Sequence, residues 1–213
     1  SDVCSSDLAG AVELMRGSNP QDEVFYVDFK DTVDVVQGFT NDYKKIESAL
    51  NKVRLFGGTA VMDALKVALE QMKKAKRDKK VIVLLTDGED DSSDIELAPL
   101  LAMVQRSDVT VYTIGLLSTE PNSKRRNAEK FLSKVAEVSG GVAYFPQNVE
   151  QVQLLGQAIA HDIRNQYVLG YQVPTGTARG FHQIKVTAEK KDRGRLTVRT
   201  RTGFYYDPNA AAR

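Results

Sequence analysis

The stretch Val81-Ile82-Val83-Leu84-Leu85-Thr86-Asp87-Gly88-Glu89-Asp90-Asp91 decides the fold. Its five successive aliphatic residues predict a strand buried on both faces, and such strands belong mainly to parallel sheets covered by helices on each side. The run stops at a carboxylate and a glycine. Ligands of open parallel sheets bind beyond the carboxyl ends of the strands, which makes Asp87 a candidate functional residue. The competing reading is that Asp87 only caps a turn or the next helix.

Outward from this strand the pattern alternates. Upstream, 23–29 is a Val-, Phe- and Tyr-rich strand, and 31–36 is a second strand after a short connection, so the two predict an antiparallel hairpin at the sheet edge. Asn41 or Asp42 can cap a helix with Tyr43, Ile46, Leu50 and Val53 on one face. Phe56-Gly57-Gly58-Thr59-Ala60 follows, its paired glycines free to turn tightly or approach a ligand. It opens a helix with Ala64, Leu65, Ala68, Leu69 and Met72 inward. The basic run 73–80 reads as that helix's carboxyl end, where cations complement the dipole.

Downstream, Ser92, Ser93 or Asp94 can cap a helix carrying Leu97, Leu100, Leu101 and Val104. Residues 109–116 form another buried strand and 118–126 a polar loop. Ala128, Phe131, Leu132, Val135 and Val138 make an amphipathic helix closed by Gly140-Gly141. A short strand at 142–145 and a long helix over 149–164 complete the series. Alternation from 23 to 164 predicts an α/β, doubly wound, mostly parallel sheet with the antiparallel hairpin at its edge. After Gln166 the pattern changes. Strands at 167–173, 181–189 and 195–201, without helices between them, predict a small antiparallel β module over 166–207, followed by a loose tail at 208–213.

The chain has 213 residues, 42% hydrophobic and 27% charged, enough for one good-sized core and a small addition. Lys and Arg total 29 against 28 Asp and Glu, so net charge offers no argument for nucleic acid or an anionic membrane. No apolar run approaches the ~20 residues of a membrane helix. Residues 1–8, Ser-Asp-Val-Cys-Ser-Ser-Asp-Leu, read as non-native, because codons for them can spell a common sequencing adapter. They hold the single cysteine, Cys4. The remainder therefore has neither intrachain disulfides nor thiol catalysis.

Two motifs in order, Gly57-Gly58-Thr59-Ala60 opening a helix and a buried strand ending in Thr86-Asp87-Gly88-Glu89, resemble a von Willebrand factor type A (VWA) domain. The tail, with Gln166-Tyr167-Val168-Leu169-Gly170-Tyr171 and Val198-Arg199-Thr200-Arg201-Thr202-Gly203-Phe204-Tyr205, resembles a bacterial branch in which a β module follows that domain. The resemblance covers roughly residues 9–207, with 9–165 as the VWA-like part. It implies a protein-binding, adhesion-type module rather than an enzyme. Its metal-ion-dependent adhesion site would hold Mg²⁺, a partner's acidic side chain completing the shell. Thr59 and Asp87 match metal ligands, and Gly58, Gly88 and Glu89 would border the partner. The resemblance also favours a secreted or periplasmic setting.

The family's Asp-x-Ser-x-Ser ligands have no good match. Asp2-Val3-Cys4-Ser5-Ser6 carries cysteine where the first serine belongs, and no apolar strand precedes it. The expectation is therefore a fragment lacking its first strand, which would lie centrally in the doubly wound order. Such a fragment would bind Mg²⁺ weakly and fold poorly alone. Two other functions remain open: a structural or assembly domain with a dead metal site, and a hydrolase using Asp87 and Glu89 as acid and base. The acidic loop Glu89, Asp90, Asp91, Asp94 could take Ca²⁺, though its spacing does not match the twelve-residue Ca²⁺ loop. His161 and His182 read as structural or exposed. Phe204, Tyr205 and Tyr206 read as packing of the β module.

Overall fold

The computed structural model describes Gly17 and residues 19–51, 58–191 and 194–208. The expectations about residues 1–16, the Asp-x-Ser-x-Ser likeness and the central first strand included, lie outside the described residues, as does Val53.

The edge hairpin forms as expected. β1 (Val24–Phe29) pairs antiparallel with β2 (Val33–Thr40), Phe29 opposite Val33 and Val24 opposite Thr40. The second strand runs four residues further than the alternation suggested. Helix α1 (Tyr43–Leu50) follows, Asp42 accepting the Lys44 amide at its start. Ile46 and Leu50, four apart, bury against Val24 and Tyr26 of the hairpin.

The central ladder is parallel. β3 (Val81–Thr86) pairs with β4 (Thr110–Gly115) in continuous register, Val81 opposite Thr110 through Thr86 opposite Gly115. β4 in turn pairs with the short β5 (Ala143–Tyr144). Four helices cover it: α2 (Val61–Met72), α3 (Leu97–Arg106), α4 (Asn122–Ser139) and α5 (Val149–Asn165). Successive residues of β4 go to opposite layers. Val111 joins Leu65, Leu100, Val104 and Val135 of α2, α3 and α4, while Tyr112 and Ile114 join Ile159 of α5. β4 is thereby covered on both faces, as expected of a parallel strand between helix layers. Strand order is β2-β1 in one sheet and β3-β4-β5 in another, with no ladder joining them among the described residues.

Three local expectations are corrected. Helix α2 ends at Met72, so the basic run is a turn and not a helix end. Its lysines work elsewhere: Lys79 donates to the carbonyls of Ile163 and Arg164 at the end of α5, and Lys80 pairs with Asp108 at 2.8 Å. Cations do sit at a helix carboxyl end, but that of another helix. Ser92, Ser93 and Asp94 do not cap α3, whose N-cap is Glu96 without a side-chain bond. Helix α4 starts at Asn122, with Pro121 as its N-cap; half of the expected polar loop is helical.

The tail differs most. β6 (Gly180–Gln183) pairs with β9 (Gly203–Tyr206), and β7 (Ala188–Lys190) with β8 (Gly194–Leu196), both antiparallel. The four strands are two halves of one hairpin. Four residues separate the halves on the outgoing arm and six on the return arm, so one ladder cannot run through. The longer arm turns aside over 197–202, where a strand was expected. There Arg199 reaches Asp162 of α5 at 2.7 Å and Arg201 donates to the Gln105 carbonyl of α3 at 3.0 Å. The expected strand at 167–173 is not formed, because no edge pairs with it. Tyr167, Val168 and Leu169 stand in solvent, and Tyr171 packs edge-on against Phe204. Strand propensity is a fit to neighbours and does not act alone.

Candidate functional site

Four loops meet at the carboxyl ends of the strands: the β1–β2 turn, the segment entering α2, the acidic loop after β3 and the loop from β4 to α4. Thr86, buried at the end of β3, closes a turn on Gly88 through its hydroxyl. The chain then presents Asp87, which is exposed.

The segment entering α2 is fixed by carboxylates from far along the chain. Gly58 donates its amide to Asp31 Oδ1 at 2.7 Å, and Ala60 donates to the Lys30 carbonyl at 2.8 Å. Thr59 and Asp91 clasp each other. The Thr59 amide donates to Asp91 Oδ1 at 2.7 Å, and the Asp91 amide returns a bond to the Thr59 carbonyl at 3.2 Å. Ser92 Oγ donates to the same Oδ1 at 2.6 Å. The Ser92 hydroxyl, then the Thr59 amide, hold the Asp91 carboxyl below its ordinary range.

Helix α2 has no cap of its own. Its first free amides are satisfied from the acidic loop: Met62 donates to Asp90 Oδ2 and Asp63 to Ser93 Oγ. Asp63 answers by accepting the amides of Asp94 and Ile95. The exchange is a capping box split between two segments. It also places the oxygens of Asp90 and Asp91 on backbone amides and a serine hydroxyl, the work of a latch rather than of a Ca²⁺ loop. Among the described residues no group of three or more His, Cys, Asp or Glu could hold a metal ion.

The predicted site residues divide accordingly. Thr59 and Gly88 are brought together: a Cβ on Gly88 would lie 3.7 Å from Thr59 Oγ1. Asp87 adjoins Gly88 in the chain. Among the described residues neither the Thr59 hydroxyl nor the Asp87 carboxylate has a hydrogen-bond or ion-pair partner. Gly58 touches Asp31, Asp91 and Ser92, where an added Cβ would collide. Glu89 is not free, since it accepts from Asn127 Nδ2 of α4 at 2.7 Å. The sequence reading missed Glu120: its Oε1 lies 3.8 Å from the same Cβ position. No motif marks this residue. Only its place two residues before a helix, in the loop leaving a central strand, points to it.

His161 is exposed, and His182 Nε2 lies 2.7 Å from the Ala178 carbonyl. Phe204 packs against Tyr171 and His182, and the Arg106 guanidinium lies 4.7 Å over the Tyr205 ring. Among the described residues no helix is long and apolar enough to cross a membrane.

Comparison with known proteins agrees with this architecture. The family model described as von Willebrand factor type A domain matches residues 6–158. A von Willebrand factor type A protein from Catenulispora acidiphila superposes with a TM-score of 0.67 at 18% identity, covering 78% of this chain and 39% of that one. The vWF domain of the type V pili tip protein Mfa5 of Porphyromonas gingivalis gives 0.60 at 13% identity, with 78% of this chain and 91% of that domain's chain covered. An aerotolerance-related membrane protein of Bacteroides fragilis gives 0.59 at 19%, with 76% and 88% covered. An uncharacterized protein of Borreliella burgdorferi is 23% identical over 191 residues, 84% of this chain. The chain spans about half the length of that curated relative, 54%.

Proposed function

From the premise that this chain belongs to the von Willebrand factor type A domain family, whose members commonly mediate protein–protein contact or adhesion, we propose that it is a binding module and not an enzyme. Thr59 and Asp87 would hold a Mg²⁺ ion. Gly58, Gly88 and Glu89 would border the partner's acidic side chain. The observation that carries this reading is the pair of unengaged oxygen groups, the Thr59 hydroxyl and the Asp87 carboxylate, on adjoining loops at the carboxyl end of β3.

A hydroxyl and a carboxylate fit Mg²⁺, which prefers hard oxygen donors and retains several waters. When bound, the ion would supply an open coordination position for a partner's carboxylate. The chain's own contribution is positioning. The Asp91 clasp holds the backbone of Thr59, the buried Thr86 and Gly88 turn sets where Asp87 leaves the strand, and Asn127 orients Glu89. The alternative reading is a structural or assembly domain with a non-functional metal site. Relatives described as a membrane protein and a pilus tip protein support a location at or outside the cell envelope.

Calorimetric titration with Mg²⁺ separates the two readings. The binding reading expects Mg²⁺ heat from the unmodified chain and its loss in Thr59→Ala and Asp87→Ala. Unchanged titrations in both variants would sink it.

A further inference from the structure

The carboxylates around the site fall into two groups. Asp31, Asp63, Glu89, Asp90 and Asp91 each accept at least one N–H donor. Asp87, Asp94 and Glu120 accept none among the described residues, and of these Glu120 is half-buried while Asp87 and Asp94 are exposed. Of the nearby cations, Arg125 pairs with Glu129 at 3.1 Å.

The backbone shapes the position of Glu120. The Glu120 amide donates to the Leu117 carbonyl at 3.2 Å, closing a turn after β4, and Pro121 follows directly as the N-cap of α4. The residue before a proline is biased to extended backbone, which narrows how the chain carries Glu120 into the loop. There it reaches the small space above Gly88, where Glu120 Oε1 and Thr59 Oγ1 both approach the same point, at 3.8 and 3.7 Å.

We propose that Glu120 is the chain's own carboxylate at this site, taking, while no partner is present, the position that a partner's acidic side chain would take. The inference rests on the reading of Thr59 and Asp87 as metal ligands and gives that site a regulator. Glu120 adds a third hard oxygen donor and so raises the affinity for Mg²⁺. It also competes with any incoming carboxylate, so a partner must displace it. An occupied site lowers apparent affinity by the fraction of time it is free. If Glu120 holds the position nine-tenths of the time, its loss raises affinity for an outside carboxylate about tenfold.

The test uses the full chain with Glu120→Gln and Glu120→Ala, each first shown by thermal melting to fold as the unmodified protein does. Mg²⁺ alone is titrated, then acetate as a minimal carboxylate at saturating Mg²⁺, with Thr59→Ala and Asp87→Ala alongside. The expected result is weaker Mg²⁺ binding in both Glu120 variants and acetate binding strengthened by about tenfold. If Mg²⁺ binding depends on Thr59 and Asp87 but neither titration changes at Glu120, the proposal falls and the metal-site reading stands. Mg²⁺ weakening without a gain for acetate overturns the competitor role. If Thr59→Ala and Asp87→Ala titrate as the unmodified chain, or the chain takes no Mg²⁺, the metal-site reading fails and the proposal with it.

Discussion

Replacing Ser139 with alanine removes one oxygen and should cost far more than the atom's size suggests. Along β4 the amides alternate in direction. Thr110 and Leu116 donate towards β3, to the carbonyls of Lys80 and Thr86, while Thr113 donates the other way, to Val142. Val111 also faces that second side, but β5 begins only at Ala143, opposite Thr113. Ser139 Oγ fills the gap, accepting the Val111 amide at 2.9 Å and donating to the Ala136 carbonyl at 2.9 Å. Val111 is 0% exposed and Ser139 6%, so bulk water cannot replace the hydroxyl. An orphaned buried amide costs about 1–3 kcal/mol. Taking about 2 kcal/mol, the melting temperature of a chain this size falls by roughly 4–8 °C. Thermal melts and urea titrations would give the loss, and amide exchange would locate it, with the Val111 N–H exchanging faster than its neighbours. A loss below about 0.5 kcal/mol, within the range of an ordinary surface substitution, with Val111 exchange unchanged, would refute the account.

Four further outcomes follow from the same geometry. Gly140→Ala forces a side chain onto a residue at φ +83 whose Cβ would lie 2.5 Å from the Arg201 amide; it should destabilise by about 1 kcal/mol or more and loosen the tail, read as faster proteolysis over 194–206. Asp90→Ala removes the cap of α2 and should cost about 1 kcal/mol in a urea titration. Gly88→Ala meets only ordinary contacts, so its melt should match the parent while Mg²⁺ titration weakens. Burial first, and the Asp162 charge second, push the Tyr112 and Tyr144 hydroxyls above their usual range. The unfolded chain ionises them first, so their contribution is complete below pH ~10 and is lost as pH rises through the folded values. Tyr144→Phe should flatten that alkaline decline in stability.

Much of the fold could be read because its signals are local. The aliphatic run at 81–85 and the spacing of Leu65, Ala68, Leu69 and Met72 each determine one element without outside help. The missed features are long-range. Ser92 and Ser93 stand where a cap for α3 would stand, and nothing nearby reveals that Ser93 serves Asp63, 30 residues upstream. The tail strand at 167–173 has the right composition, but composition cannot supply a paired edge. For the site, Thr59 and Asp87 were visible through a motif whose order matches a family. Glu120 was not, because its approach to Gly88 depends on how two loops from different strands come together.

The tail and the candidate site occupy opposite ends of the sheet, and this separates their roles. Arg201 binds the last turn of α3 at Gln105, Thr200 and Arg201 pass against the C-cap glycine of α4, and Arg199 meets Asp162 in the last turn of α5. The first two of these helix ends lead into the amino ends of β4 and β5; the end of α5 accepts Lys79, two residues before β3. Thr59, Asp87 and Glu120 lie beyond the carboxyl ends. The return arm of the hairpin therefore cannot line the site. What it does is bond two helices, α3 and α5, at the far edge through its arginines while packing on the end of α4, and one of those bonds is to the carboxylate that shifts Tyr112 and Tyr144. Its two extra residues, which break the ladder, are what let Arg199 and Arg201 reach those helices.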